Sequence, residues 1–340
     1  MTRPMPIPLS LSVYEHAARF ISRTPWETSR DAGLMFESHK AAYETYGHHP
    51  VIVGIDIYNL EAEAYGATVA RPDGAGIPAI VEHPCATLAE IPRLPRFDPA
   101  TSGRLPMVVD VARRLKDAFP DADVRVPLSG PFSIAGNLVG LNALLMGVVM
   151  EPDVARAALA WLVEGQLVFA SAVHERGVDV AFFESAAAPP LLSPDLFRDV
   201  ELPPLKSAIE GVARIVKHPV ACIIGGDTAP IVGDMLETGT GFLICPSETD
   251  REAFLAAVAS RPDVTVRVNI DPGIYTRGTR ENIAAAVDEV VALKATRPDL
   301  LLGTGAIPFE TPIENILYLK EYAEIAAVSP CSPSTGTDAP

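Results

Sequence analysis

Short β-branched runs alternating with longer amphipathic stretches set the tightest limit on what this chain can fold into. Strand-like segments occur at 51–57, 124–128, 180–184, 220–224, 241–245, 264–270 and 300–303, and most of them end in Gly, Pro, Asp or Glu. Segments with apolar residues at i, i+3 and i+4 cover 134–150, 152–176, 195–216, 231–238, 251–259, 281–296 and 312–326. This is the rhythm of βα units around a parallel sheet. About seven repeats with no break in composition predict an α/β fold, a closed (β/α)8 barrel in a single domain. The barrel is expected over 49–328, with a helical N-terminal extension, 1–48, packed on it. No Gly-x-Gly-x-x-Gly follows the first strand, which removes the main support for a dinucleotide-binding sheet. The last stretch, 329–340, is rich in Ser, Pro and Thr and is expected to be disordered.

Composition excludes several function classes. With 340 residues, 48% of them hydrophobic, the chain can bury a large core. Its net charge of −16 argues against nucleic acid or an anionic membrane as partner, since both are polyanions. No uncharged apolar run is long enough for a signal segment or a membrane span. Cys85, Cys222, Cys245 and Cys331 form no CxxC pair, so a reducing cytoplasm is the expected compartment.

In a (β/α)8 barrel the chemistry sits where strands end. That rule selects Asp56, Ser129, Glu184, Asp227, Cys245, Asn269, Asp271 and Thr304, and it puts His218 on the opposite face. Glu184 ends a very apolar strand, so it faces a polar cavity or pairs with a cation. Asp56, Glu61 and Glu63 also suit the start of a helix, where acids meet the positive end of the dipole. Gly225 and Gly226 allow a ligand to approach the backbone closely. Strand alternation gives Cys222 and Ile224 one face and Ile223 and Gly225 the other, and a buried free cysteine is usually a small core residue.

A series of motifs carries a resemblance. Arg23-Thr-Pro-Trp26, the block Asp56 to Ala67, Gly130-Pro131-Phe132, Phe183-Glu184-Ser185, Leu192-Ser193-Pro194, Gly226-Asp227-Thr228, Asn269-Ile270-Asp271-Pro272, Gly303-Thr304-Gly305 and Thr311 to Asn315 appear in order over about 20–326. Together they resemble the uroporphyrinogen decarboxylase superfamily. The block at Asp56–Gly66 is most similar to its corrinoid-dependent methyltransferase branch. The resemblance implies a (β/α)8 barrel that moves a methyl group between a small molecule and a corrinoid (cobalamin) held by another protein. The alternatives are a uroporphyrinogen-type decarboxylase and a non-catalytic barrel that binds a corrinoid or a metabolite. The decarboxylase branch is marked by an Arg-Gln-Ala-Gly-Arg segment. Here the corresponding region reads Glu27-Thr-Ser-Arg-Asp-Ala-Gly-Leu-Met35, with Arg30 as its one arginine.

The thiol-methylating members resemble one another in a zinc site of His-x-Cys plus a distal Cys. Alignment on Gly226-Asp227-Thr228 puts Ile223, Gly225 and Thr304 at those three positions. Ile and Gly offer no donor, so zinc cannot be held as the family holds it. Three readings stay open: another ligand set drawn from Glu184, Asp199, Cys222 and Cys245; a metal-free enzyme using acids and amides; or a barrel that binds without transfer. Glu184 and Asp199 match the spacing of a Glu-x14-Glu pair found in ether-demethylating relatives.

The resemblance therefore implies Glu184, Asp227 and Asp56 as catalytic residues. Asn269, Asp271, Gly225, Gly226, Thr304 and Ser129 are implied for substrate. No Asp-x-His-x-x-Gly segment is present, so the corrinoid is expected on a separate corrinoid protein. The other implied partner is a small methyl donor or acceptor, a demethylase direction being one option, and barrels of this family often form homodimers.

Overall fold

A computed structural model describes residues 7–184 and 187–326. The expected disordered end, 329–340, together with Cys331 and Ser185, lies outside the described residues. Ten strands are described: β1 (Leu9–Ser12), β2 (Val51–Ile52), β3 (Thr68–Ala70), β4 (Ala79–Glu82), β5 (Val124–Ser129), β6 (Asp179–Glu184), β7 (Cys222–Ile224), β8 (Phe242–Cys245), β9 (Thr265–Ile270) and β10 (Leu301–Ala306). Eight of them make the barrel, in two parallel runs ordered β2-β5-β6-β7 and β8-β9-β10-β1. A parallel bridge from Ala221 to Phe242 joins the two runs at β7 and β8. Among the described residues no ladder joins β1 to β2. The antiparallel hairpin β3–β4 stands outside the barrel.

Strands β6 and β9 are buried along almost their whole length, as expected of a parallel sheet wrapped by helices. The 24-residue helix Pro152–Glu175 is apolar and long enough to cross a membrane by composition alone. It is instead a core helix, burying Leu159, Leu162, Phe169 and Val173 against its neighbours.

Four differences from the sequence pattern matter for the site. First, the segment expected as an N-terminal extension contributes β1, which pairs with β10 from Leu9–Leu302 onward. Four residues following Pro8 give too short an alternation to read as a strand. Second, the strand expected at 51–57 keeps its ladder only at Val51–Ile52, and the chain then leaves the sheet through Gly54 (φ 148°).

Third, the expected helix 134–150 is two helices, Pro131–Val139 and Leu141–Met150, bent by 113° at Gly140, which has φ 83°. Fourth, the expected helix 195–216 opens with a π-turn over Phe197–Glu201 before the regular helix Leu202–Val216. Pro203 and Pro204 supply no N–H to the carbonyls one turn back. The Asp199 carbonyl accepts from Arg156 Nη1 at 3.4 Å instead. A π-turn rotates the residues that follow it, and here Glu201 ends up in the interior.

Candidate functional site

The C-terminal ends of the strands surround a cavity of about 720 Å³. Its floor and walls come from β1 and its extension (Ser12, Tyr14, Glu15), from Ile55 to Asn59, from Phe132 and Ser133, and from Phe183, Ile223, Gly225, Arg267, Asn269 and Gly305. Its more exposed lining includes the apolar Ile77, Ile80 and Leu141, together with His83 and Glu248. Ile77 and nearby Val81 are half exposed. His218 lies at the other end of the barrel, 3.1 Å from Asp179 at the start of β6.

Of the residues selected from the sequence, Asn269, Gly225 and Asp56 line the cavity. Asn269 keeps its Oδ1 buried without a hydrogen-bond partner. Asp56 is fully engaged: Arg104 donates to its two oxygens at 2.7 Å each, and Asn59 Nδ2 donates at 3.0 Å. Arg104 also donates to Glu63 Oε2 at 2.6 Å, and Arg30 pairs with the other oxygen of Glu63. Asp56 and Glu63 thus anchor a four-residue ion network at the cavity wall.

The remaining selected residues are displaced from the cavity wall. Glu184 is fully buried behind Ser133, which donates to it from both N–H (2.7 Å) and Oγ, while Phe132 N–H donates at 3.2 Å. It therefore meets the cavity through Phe132 and Ser133, which line it, and not at the wall itself. Gly130 is required here, because a Cβ would run into the Glu184 carboxylate.

Asp227 accepts from Thr249 Oγ1 at 2.8 Å and sits beside the wall. Gly226 (φ 86°) turns against the Pro189 carbonyl. Asp271 is exposed and caps the helix Pro272–Arg277 by accepting from Gly273 N–H at 2.6 Å. Thr304 Oγ1 accepts from Ser12 N–H at 3.0 Å, fastening β1 to β10. Ser129 donates from N–H and Oγ to Glu61, so Glu61 belongs to the interior and not to a helix cap.

No three His, Cys, Asp or Glu side chains come together for a metal among the described residues. Asp199 is exposed and apart from Glu184. Cys222 and Cys245 are buried off the cavity, and burial raises both thiols, Cys245 to about 12. Ile223 and Gly225, at the positions where the resemblance places His and Cys, do line the cavity but carry no donor. The residues present do not fit zinc.

The true neighbour of Glu184 is Glu201, delivered by the π-turn. Burial raises Glu184 to about 7, and burial together with the Glu184 charge pushes Glu201 well above the usual carboxylate range. Both Glu201 oxygens are buried without a hydrogen-bond partner among the described residues, so a second negative charge beside Glu184 is disfavoured there.

Glu15, Tyr14 and Arg267 are among the cavity residues not selected from the sequence. Glu15 is raised to about 7, first by burial and then by the charge of Glu310. Tyr14 packs edge-on against Phe183 at 6.0 Å. Arg267 is buried on β9 one alternation below Asn269, and burial pulls its pKa below the ordinary arginine range. A signal for Arg267 was present: a cation inside the run Thr-Val-Arg-Val-Asn-Ile shares a face with an amide two residues on. Glu15 had none, because β1 itself was not legible.

Comparison with known proteins places this geometry. Residues 3–324 match the family model described as uroporphyrinogen decarboxylase (URO-D). A methylcobamide:CoM methyltransferase from Methanosarcina barkeri is 26% identical over 216 residues, 63% of this chain and 61% of the relative. The chain thus spans about three-fifths of the length of that curated relative. A uroporphyrinogen decarboxylase from Nocardioides sp. is 26% identical over 314 residues, 88% of this chain and 85% of the relative. Among solved structures, a methyltransferase from Methanosarcina mazei superposes with a TM-score of 0.80 at 22% identity, covering 94% of both chains. A B12-independent methionine synthase from Shewanella sp. W3-18-1 superposes with a TM-score of 0.56 at 15% identity, over 88% of this chain and 89% of that one.

Proposed function

The chain belongs to the uroporphyrinogen decarboxylase family, and within it we propose that it is a cytoplasmic methyltransferase working between a small molecule and a corrinoid carried by a separate protein. One observation carries this choice over decarboxylation of a porphyrinogen: Arg267 is the one Lys or Arg lining the cavity among the described residues. A substrate with many carboxylates needs several fixed cations. Arg30, the candidate replacement, is turned away to Glu63 and lies over Trp26 at 4.6 Å. The names of the methyltransferase relatives support the same choice.

The corrinoid supplies a methyl carrier when its protein docks. The residues of this chain hold the other reactant. The apolar residues Ile77, Ile80 and Leu141 suit a docking face that excludes water. A methylated heteroatom that leaves as an anion must gain a proton, and a thiol that receives methyl must lose one. Glu15, in the cavity with a pKa of about 7, is matched to either transfer at neutral pH. Ser133 presents a hydroxyl oriented by Glu184, beside which lies the buried Glu201. With no zinc-fitting donor set among the described residues, proton transfer through Glu15 takes the place of a metal-held thiolate.

Incubating the purified protein with a methylated corrinoid protein and following the cobalt–carbon absorbance tests the reading. Loss or gain of the methyl form that depends on this barrel supports it. An unchanged spectrum with every candidate small molecule, at enzyme concentrations equal to the corrinoid protein, refutes it.

A further inference from the structure

Arg267 is a buried cation whose neighbourhood leaves it short of a counter-ion. Its side chain is 4% exposed, yet it lines the cavity. Its one hydrogen bond among the described residues is from Nη1 to Ser10 Oγ at 3.2 Å, and Nε is buried with no acceptor. The ionisable groups that couple to it are the phenols of Tyr14 and Tyr275, and among the described residues no carboxylate pairs with it. The Phe242 ring lies 5.8 Å away, too far to replace an anion.

Isolated charges are not left in protein interiors without compensation, because dehydrating a guanidinium costs several kcal/mol that only a partner can offset. Space for this side chain is built in: a Cβ at Gly303 on the adjacent strand would run into the Arg267 stem and come 2.6 Å from Asn269 Oδ1. Asn269, on the same face of β9, has an amide without a partner for its oxygen, and its oxygen and nitrogen are interchangeable by a flip.

We propose that Arg267, with the Asn269 amide beside it, is the anchor for the single carboxylate or sulfonate group of a small ligand bound in the barrel cavity. A planar guanidinium offers two parallel N–H donors to such a group, and the unpaired Nε with its neighbouring Nη is the edge left available. The anion sits low in the barrel, since Arg267 lies two residues before Asn269 on β9, and the rest of the ligand points toward Ile77, Ile80 and Leu141. One anchored charge fixes orientation without the cation array that a polycarboxylate requires. That this ligand is the small reactant of methyl transfer rests on the function proposed above, whereas the anion site is tested without turnover.

The experiment is calorimetric titration of the resting protein with butanoate and propane-1-sulfonate against butanamide, together with melting curves in the presence of each. The wild-type protein is expected to prefer both anions over the amide by about tenfold or more and to melt higher in their presence only. Arg267→Met is expected to lose that preference. Its melting temperature without ligand should be unchanged or higher, because an uncompensated buried charge has been replaced by an apolar side chain of similar length. Equal binding of amide and anions to the wild type overturns the proposal, as does an Arg267→Met protein that keeps the anion preference. If Arg267→Met does not fold, the comparison of anions with amide on the wild type decides alone. Failure of this test leaves the cobalt–carbon assay untouched, and the reverse also holds.

Discussion

Arg104 holds Asp56 with two bonds of 2.7 Å each, in a fork-to-carboxylate geometry that leaves the acid no free oxygen for a substrate. Both side chains are almost fully buried. Removing one member strands the other as a buried charge, which costs about 3–5 kcal/mol. Asp56→Asn and Arg104→Met are therefore each expected to lower stability by that amount in denaturant unfolding. The double variant should be less destabilised than the sum of the two. Equal, additive losses would show that the pair does not act as a unit.

A pH dependence of stability follows from the buried acids. Glu15, Glu61 and Glu184 each stand at about 7 against an ordinary 4.5, in every case chiefly through burial. The folded protein holds these protons more tightly than the unfolded chain does. Their contribution is fully present below about 4.5 and is lost as pH rises through 7. Buried His16 and His39, lowered to about 4, and His48, lowered to about 3, have the opposite sign. Their contribution is present above 6.5 and is lost as pH falls. Glu184→Gln removes one acid from this balance, so its melting temperature relative to the wild type should climb between pH 5 and 8. A difference that stays flat with pH contradicts the assignment.

The cysteines carry a simpler expectation. Cys222 and Cys245 are buried, off the cavity and held as thiols. Cys222→Ala and Cys245→Ala should leave methyl-transfer rates within about twofold while each costs about 1–2 kcal/mol of stability from lost packing. A hundredfold loss of rate in either folded variant would return a thiol to the chemistry.

Much of the barrel was legible because βα alternation is periodic and long. Seven of the eight barrel strands were marked by it, and the eighth, β1, was hidden by its four-residue length. The site was less legible for a physical reason. Strand ends identify which residues reach the top of a barrel, but not which of them are already consumed by partners from elsewhere in the chain. Asp56 is taken by Arg104, Thr304 by Ser12, and Ser129 by Glu61, and each partner lies more than 40 residues away. Glu201 escaped notice because a π-turn changes which side of a helix faces inward. The sequence spacing had pointed to Asp199 instead.

Substitutions at the exposed apolar residues of the hairpin are expected to separate docking from chemistry. Ile77, in the cavity lining, is 50% exposed, and Val81 on the same hairpin is 56% exposed. Ile77→Asp and Val81→Glu should slow transfer with a protein-bound corrinoid about tenfold or more, through a charge placed in an apolar contact. Turnover of free methylcobalamin should change little. Equal slowing with both forms would place the defect in the cavity and not at a docking face.

Methyl transfer itself is tested most directly by following two labels in one reaction with the purified barrel: methyl carbon on the corrinoid protein, and carboxyl carbon on a porphyrinogen offered in parallel. The account predicts that methyl label moves between corrinoid and small molecule, that Glu15→Gln slows this transfer, and that no labelled carbon dioxide is released. Release of carbon dioxide with the methyl label left in place would contradict it.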